Sequence, residues 1–369
     1  MLQIEYIMYI HQLNNWANFS FASEKIIAPL AKVRHLQGKL MGEMESLGFS
    51  LREEAMLTTL TLDVLKSSEI EGEQLDRDQV RSSIARRLGL DVSGLVSSTR
   101  NVDGVVEMML DATQNYSRSL NNERLFGWHA ALFPTGWSGM YRIEVGKYRS
   151  GDMQVISGAM GKEKVHYQAP GAERVASEMT HFLNWLNGVE EIDPVIKAAI
   201  AHFWFITIHP FDDGNGRIAR AITDMLLARS DNSTQRFYSM SNQILLDKKH
   251  YYDILEKTQR GNSDITEWVL WFLACLEQAL LSTETVLNSI LAKARFWDTH
   301  TQTSLNDRQQ KMLNKLLDGF DGKLTTSKWA KINKCSPDTA LLDIKDLITK
   351  GILRKTNEGG RSTNYELRE

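Results

Sequence analysis

The sequence predicts a mainly α-helical chain of several domains, and three observations carry that reading. Only 6 prolines occur in 369 residues. Apolar residues recur at spacings of three and four over long stretches, which marks amphipathic helices. At 42% hydrophobic and 24% charged, the chain has a globular composition with apolar material for real cores. At about 150 residues per domain this length corresponds to two or three domains. Disordered, collagenous and low-complexity classes are excluded.

From Ser23 to Leu47 the positions Ile26, Ile27, Leu30, Val33, Leu36, Leu40 and Met44 trace one helical face, and Gly48 supplies a stop. A second helix is expected from Leu51 to Glu71, ended by Gly72. Two more are expected over 101–120 and 121–134. The pattern then breaks, with six glycines between Gly136 and Gly161, and QVISG followed by KVHYQAP reads as a β-hairpin. Helical spacing returns over 173–185 and then over 194–208, where Pro194 suits a first turn. Further helices are expected at 217–229, 248–260 and 264–297, with Trp185, Trp204, Trp268 and Trp271 read as core.

After a polar junction at 298–304, helices are expected near 307–317 and 326–332. A third starts at Ser336-Pro337-Asp338, a cap, a proline at the first position and an acid in the first turn. ILRKT and TNYEL then flank a Gly-Gly turn. Three helices and a ribbon in this order are the winged helix-turn-helix layout. The expected domains are an N-terminal helical module at 1–98, a catalytic domain at 99–297 and a winged helix at 305–369.

Forty-three basic against 46 acidic residues leave a net charge of −3, so the whole chain is no electrostatic nucleic-acid binder. Residues 305–369 hold 13 basic and 9 acidic side chains, +4, leaving −7 elsewhere. That balance leaves both DNA and protein open as partners of the last module. Cys275 and Cys335 are the only cysteines, which excludes a disulfide framework or zinc ribbon and suits a reducing compartment. The first residues, MLQIEYIMYIHQ, lack the features of a signal peptide. No apolar run approaches the roughly 18 residues of a membrane span. The expectation is a cytoplasmic protein with no membrane partner.

The chemistry lies in His209-Pro210-Phe211-Asp212-Asp213-Gly214-Asn215-Gly216-Arg217-Ile218-Ala219-Arg220. A helix ends before it and another begins near Gly216. Arg217 and Arg220 share one face of that new helix. Cations at a helix N-terminus oppose its dipole by about 0.3–1 kcal/mol each, which makes sense if something anionic sits there. Gly214 and Gly216 let backbone N–H groups approach an anion. Asp213 beside that cradle is explained by a bridging divalent ion such as magnesium. His209 is the neutral-pH base of the segment. Together these describe phosphoryl or nucleotidyl transfer from a nucleoside triphosphate.

The segment resembles the signature of the Fic-domain family, His-x-Phe-x-(Asp/Glu)-Gly-Asn-Gly-Arg-x-x-Arg, at every specified position. GKYRS, the hairpin, HFLNWLN and AAIAHFWFITIHPF also resemble the Fic core, over about residues 100–285. The resemblance implies a helical Fic-type core with a β-hairpin flap and an adenylyltransferase that moves AMP from ATP, with Mg2+, to a Tyr, Thr or Ser hydroxyl of a protein. It implies His209 as the base, Phe211 as an anchor, Asp213 as the magnesium ligand and Gly214, Asn215 and Gly216 as the anion hole, with Asn215 reaching the α-phosphate. Arg217 would neutralise the leaving pyrophosphate and Arg220 would orient the γ-phosphate. Ser157 and Gly158 would lie in the flap that aligns the target, and Tyr251, with Tyr252, near the adenine. Gln259 stands where the family often has an asparagine. His202 and His166 are read as structural.

Ser67-Ser68-Glu69-Ile70-Glu71-Gly72 places Glu71 at the negative end of a helix dipole, an unfavourable site that a pairing with Arg220 would relieve. The stretch resembles the Fic inhibitory motif, (Ser/Thr)-x-x-x-Glu-(Gly/Asn), at Ser67, Glu71 and Gly72, and implies a brake in which Glu71 occupies Arg220. Dimers are common in the family. The alternatives are a DNA-binding winged-helix regulator whose Fic domain senses nucleotide, and an enzyme that removes AMP.

Overall fold

The computed structural model describes residues 8–90, 92, 94–157, 164–189, 191–320, 322–356 and 363–368. Contacts divide the chain into two units, Met1–Thr283 and Glu284–Glu369. The first contains both the expected N-terminal module and most of the expected catalytic segment. Its centre is α7 (Pro194–Ile208) against α8 (Asn215–Asp231). Asp193 caps α7, and every residue from Val195 to Ile208 except Lys197 is buried. A helix apolar on all sides must lie inside a bundle.

Around this pair stand α4 (Arg100–Gln114), α5 (Asn122–Leu132) and α6 (Ala172–Asn187). Thr99 and Asn121 cap α4 and α5 through hydrogen bonds to Val102 N–H and Arg124 N–H. Trp268, on α11 (Thr266–Thr299), is fully buried and donates from Nε1 to Ala199 O of α7 at 2.8 Å. By length and apolarity α11 is also long enough to cross a bilayer, which the sequence reading did not anticipate. Of its apolar window, 60% is buried inside the protein.

After α1 (Ser23–Glu45), the helix α2 (Phe49–Ile70) packs on α3 (Arg77–Leu88), α9 (Met240–Leu246) and α8. Asp63 of α2 fastens this junction by accepting from Ser239 Oγ at 2.5 Å and from Ser241 N–H at 3.2 Å. Nearby, Asp224 and Arg236 form an ion pair at 2.7 Å, both almost wholly buried. Breaking either member of such a pair leaves an uncompensated charge, at about 3–5 kcal/mol.

In the second unit, α12 (Asp307–Leu317), α13 (Thr326–Asn333) and α14 (Pro337–Thr349) precede β5 (Leu353–Lys355) and β6 (Tyr365–Leu367), paired antiparallel. Leu324 bridges to Tyr365, and Trp329, Ile344, Leu347 and Leu353 join one core. Arg308 holds Asp343 through two hydrogen bonds at 2.7 and 2.9 Å.

Two helices and a pair of very short strands were not expected from the sequence. The helix α3 offers only Val80 and Ile84 as large buried apolar residues among four arginines, too thin a stripe to read, although Asp76 caps it and Gly89 ends it in the left-handed region. The seven-residue α9 and the two-residue strands β1 (Trp137–Ser138) and β2 (Tyr141–Arg142) are too short for any periodicity. The hairpin read from the sequence is β3 (Gln154–Ser157) with β4 (Lys164–Gln168), antiparallel and irregular between Val155 and Ile156.

A β-carbon at Gly104 of α4 would lie 1.8 Å from Ala131 O of α5, so the two backbones touch there. Gly104→Ala is expected to destabilise the chain by about 2 kcal/mol or more. Urea unfolding followed by circular dichroism measures it, and an unchanged midpoint would show that the helices separate freely.

Candidate active site

The site begins where α7 ends. His209 is in the left-handed region at φ 53°, ψ 59°. A β-carbon there costs about 1–3 kcal/mol, and the following Pro210 further restricts the residue before it. Arg149, 3% exposed, opposes that strain from the side. Its Nε donates to His209 O at 2.8 Å, its Nη1 to Gly151 O at 2.7 Å and its Nη2 to Pro170 O at 2.5 Å. Its own N–H donates to Pro210 O at 2.9 Å. A planar guanidinium with donors in fixed directions suits this cluster of carbonyls.

The imidazole of His209 has its Nδ1 3.2 Å from Ile206 O. A carbonyl only accepts, so Nδ1 carries the proton and Nε2 carries the lone pair. Burial pushes this ring down to about 4, so it is neutral at physiological pH and free to take a proton.

Beyond His209 the loop is built from inside. Phe211 is fully buried and stacks on His129 with centroids 4.3 Å apart. His129 accepts from Gly146 N–H and donates to Asp213 O, both at 3.2 Å, and burial pushes it too down to about 4. Gly214 is left-handed at φ 82°, and a β-carbon there would lie 2.9 Å from the Phe133 ring. Asp213 accepts from Gly214 N–H through Oδ1 and from the Ser138 hydroxyl through Oδ2.

The sequence expects Asn215 to reach a phosphate, but its amide is directed inward. Oδ1 accepts from Phe211 N–H at 2.9 Å and Nδ2 donates to Phe211 O at 2.7 Å. The residue is 2% exposed and holds the loop closed on itself. What the turn offers an anion is therefore backbone. No side chain caps α8, whose first N–H groups emerge behind Gly214 and Gly216.

Arg217 and Arg220 of α8 are buried, and each meets an acid at or just past the end of α2. Arg220, 2% exposed, donates from Nε to Ser67 Oγ at 2.9 Å, and from Nη2 to Ser67 O and Glu71 Oε1 at 2.8 Å each. Burial disfavours its charge, but the Glu71 carboxylate together with the Tyr251 and Tyr252 hydroxyls outweighs this and holds it above its ordinary range. Its Nη1 is buried without a hydrogen-bond partner among the described residues. Arg217 pairs with Glu73 Oε2 at 2.8 Å, with its guanidinium 5.1 Å over the Phe133 ring. Glu71 is the C-cap of α2 and Gly72 is left-handed at φ 84°. A β-carbon at Gly216 would lie 2.1 Å from Glu71 Oε1, so a side chain here would push that carboxylate from its present place.

The helix α10 (Lys248–Gln259) forms the next wall. Tyr251, expected near a base, is instead 1% exposed, and its hydroxyl meets His202 Nε2 at 2.9 Å. Thr223 donates to Ala219 O, so His202 Nδ1–H donates to Thr223 Oγ1 and Tyr251 donates to Nε2. Burial, aided by Arg220, pushes His202 down to about 3. Tyr252, 41% exposed, is the ring of that pair open to a ligand. Gln259 is buried with its amide on Thr207 Oγ1 at 3.2 Å, an internal tie. Ser157 ends β3 and donates to His166 Nε2 at 2.5 Å, while His166 Nδ1 donates to Glu256 Oε2 at 2.5 Å. Gly158 lies outside the described residues.

Among the described residues no group of three His, Cys, Asp or Glu side chains could hold a metal ion. The structure brings His209, the loop, Arg217, Arg220, Ser67 and Glu71 to one place, with Tyr252 beside them. Sequence reasoning missed Arg149, His129, Ser138 and Glu73. Only Arg149 left a signal, inside GKYRS.

Comparison with known proteins agrees with this geometry. Residues 119–227 match the Fic/DOC family, and residues 9–90 match a domain of unknown function, DUF4172. A protein adenylyltransferase Fic of Aedes aegypti is 28% identical over 228 residues, covering 59% of this chain and 40% of the relative. Its counterpart in Culex quinquefasciatus is 27% identical over the same shares. The matched part thus spans well under half the length of these curated relatives. A Fic family protein from Desulfovibrio desulfuricans superposes with a TM-score of 0.53 at 22% identity, over 93% of this chain and 95% of the other. Fic-1 of C. elegans gives 0.50 at 22% identity, over 72% and 75%. At these identities the structural likeness shows the fold, and the chain carries a Fic domain.

His129, His202 and His209 all bind protons more weakly folded than at their ordinary value of 6.5. The unfolded chain therefore binds more protons between about pH 6.5 and pH 4, and stability falls as pH falls through that window. Each histidine contributes up to about 1.4 kcal/mol per pH unit there. Thermal melts across the window are expected to decline toward acid, with His202→Gln flattening the slope by about a third of the histidine contribution. An unchanged slope would show that His202 titrates normally.

Proposed function

We propose that this Fic-domain chain transfers AMP from ATP to a hydroxyl of a protein, itself included, and that Glu71 holds the reaction off. The observation that carries the reading is the uncapped N-terminus of α8, flanked by a neutral histidine and by two buried arginines whose ion-pair partners are displaceable carboxylates. Phosphates would take the place of those carboxylates on the same donors.

In this reading His209 Nε2 accepts the proton as the target oxygen attacks the α-phosphorus, the α–β bridging P–O bond breaks and pyrophosphate leaves. The N–H groups behind Gly214 and Gly216 face the α-phosphate oxygens, Arg217 the leaving pyrophosphate and Arg220 the γ-phosphate. Asp213, a single carboxylate beside a phosphate cradle, would hold magnesium arriving with the triphosphate, which would supply charge neutralisation there. Ser138 and Gly214 N–H hold that carboxylate in place. Tyr252 offers a face to the adenine. The hairpin β3–β4 aligns a target segment by strand addition, with Ser157 at its end.

The brake is competitive. Glu71 uses the Arg220 donor that a γ-phosphate needs, and the space beside Gly216 is already filled by its carboxylate. The last module remains a winged helix by its order of elements. On α14 the exposed positions include Asp338, Leu342 and Lys345, one cation among an acid and an apolar residue, which favours a protein over DNA as its partner. Dimer formation and a cytoplasmic location stay part of the proposal.

Incubation with α-labelled ATP and magnesium tests it. Glu71→Gly is expected to raise self-labelling at least tenfold over wild type, and His209→Ala in that background to abolish it. Label from γ-labelled ATP instead would mean phosphate transfer, and no label from either would refute the transferase reading.

A further inference from the structure

We propose that Glu73 is a second competitor for the anion site, acting on Arg217 and therefore on a different phosphate from the one Glu71 excludes. This rests on the adenylyl-transfer reading above. Glu71 and Glu73 are two residues apart. On a continuous helix their side chains would diverge by about 200° and could not meet the same neighbour. Gly72, left-handed at φ 84°, breaks the helix between them, and Glu73 N–H turns back to donate to Ser68 O at 3.0 Å. Both carboxylates thereby face α8. There Arg217 and Arg220, three apart on one face, stand about 4.5 Å apart along the axis.

The two contacts are matched in length, at 2.8 Å each, but differ in support. Glu73 Oε1 also accepts from Asn101 Nδ2 of α4 at 2.9 Å, so this carboxylate is held from two sides. Arg217 is 6% exposed, and its Nε is buried without a hydrogen-bond partner among the described residues. A bidentate phosphate would satisfy that nitrogen, whereas the single Glu73 oxygen leaves it unmet. The Glu73 side chain is 30% exposed and has water to move into when displaced.

Position along α8 separates the two roles. Arg217 lies in the first turn, beside the cradle that would take the α-phosphate, and so meets the next phosphate. Arg220 lies one turn further and meets the last. Glu73 therefore competes with a β-phosphate, carried by ADP and ATP alike, and Glu71 with the γ-phosphate of ATP alone. Releasing Glu71 leaves the first competitor in place.

Calorimetry of the full chain with AMP, ADP and ATP, each with magnesium, tests this. Glu73→Gln keeps the shape and an acceptor for Asn101 while removing the charge. It is expected to tighten ADP and ATP by about three- to tenfold and leave AMP unchanged, whereas Glu71→Gln tightens ATP only. Asn101→Ala, which loosens Glu73 without touching α8, is expected to shift ADP and ATP in the same direction by less. Unchanged ADP and ATP binding in Glu73→Gln, or an equal shift for AMP, overturns the inference while sparing the transferase reading. Absence of nucleotide binding in Glu71→Gly as well as these proteins refutes the transferase reading itself.

Discussion

The guanidinium of Arg220 sets the terms for the rest of this molecule. It is 2% exposed in the second turn of a helix whose N-terminus already carries positive charge. Such a group cannot be buried alone. Ser67 supplies a hydroxyl and a carbonyl, and Glu71 a carboxylate, all from one end of α2. The position of α2 is therefore an electrostatic requirement of α8 as well as a matter of apolar packing. The Asp63 contacts to Ser239 and Ser241 fasten the same helix nearer its middle. Anything that takes over the donors of Arg220 must also replace what α2 now provides.

A second constraint acts on the loop between α7 and α8. His209 is strained, and the strain is tolerated because rigid groups hold both sides of it. Arg149 satisfies carbonyls from three segments, and the stacked pair of His129 and Phe211 fills the space beneath. None of these residues faces the cradle. Their work is to keep a neutral imidazole, a carboxylate and a row of backbone donors within one small volume. That is the form preorganised electrostatics takes when the charge to be stabilised arrives with the substrate.

The glycines divide along the same line. Gly214 is needed for its left-handed backbone and for the Phe133 ring pressed against it, Gly216 for the carboxylate that occupies its missing side chain, and Gly72 for the reversal that turns two acids onto one helix. Each allows a close approach between polymer and charge, and each bears on the proposed competition between carboxylate and phosphate.

The helices with wide apolar stripes, the order of elements and the residues of the His209–Arg220 segment were legible in the sequence, because periodicity and a dense local motif are properties of neighbours along the chain. So was the pairing of Glu71 with Arg220, read from two charges at unfavourable helix ends. Tertiary structure alone decided the inward turn of Asn215, the burial of Tyr251 and Gln259 where Tyr252 stays open, and the parts played by Arg149, His129, Ser138 and Glu73. Those outcomes depend on which distant carbonyl, ring or carboxylate arrives beside a side chain, and one-dimensional spacing carries no record of such encounters.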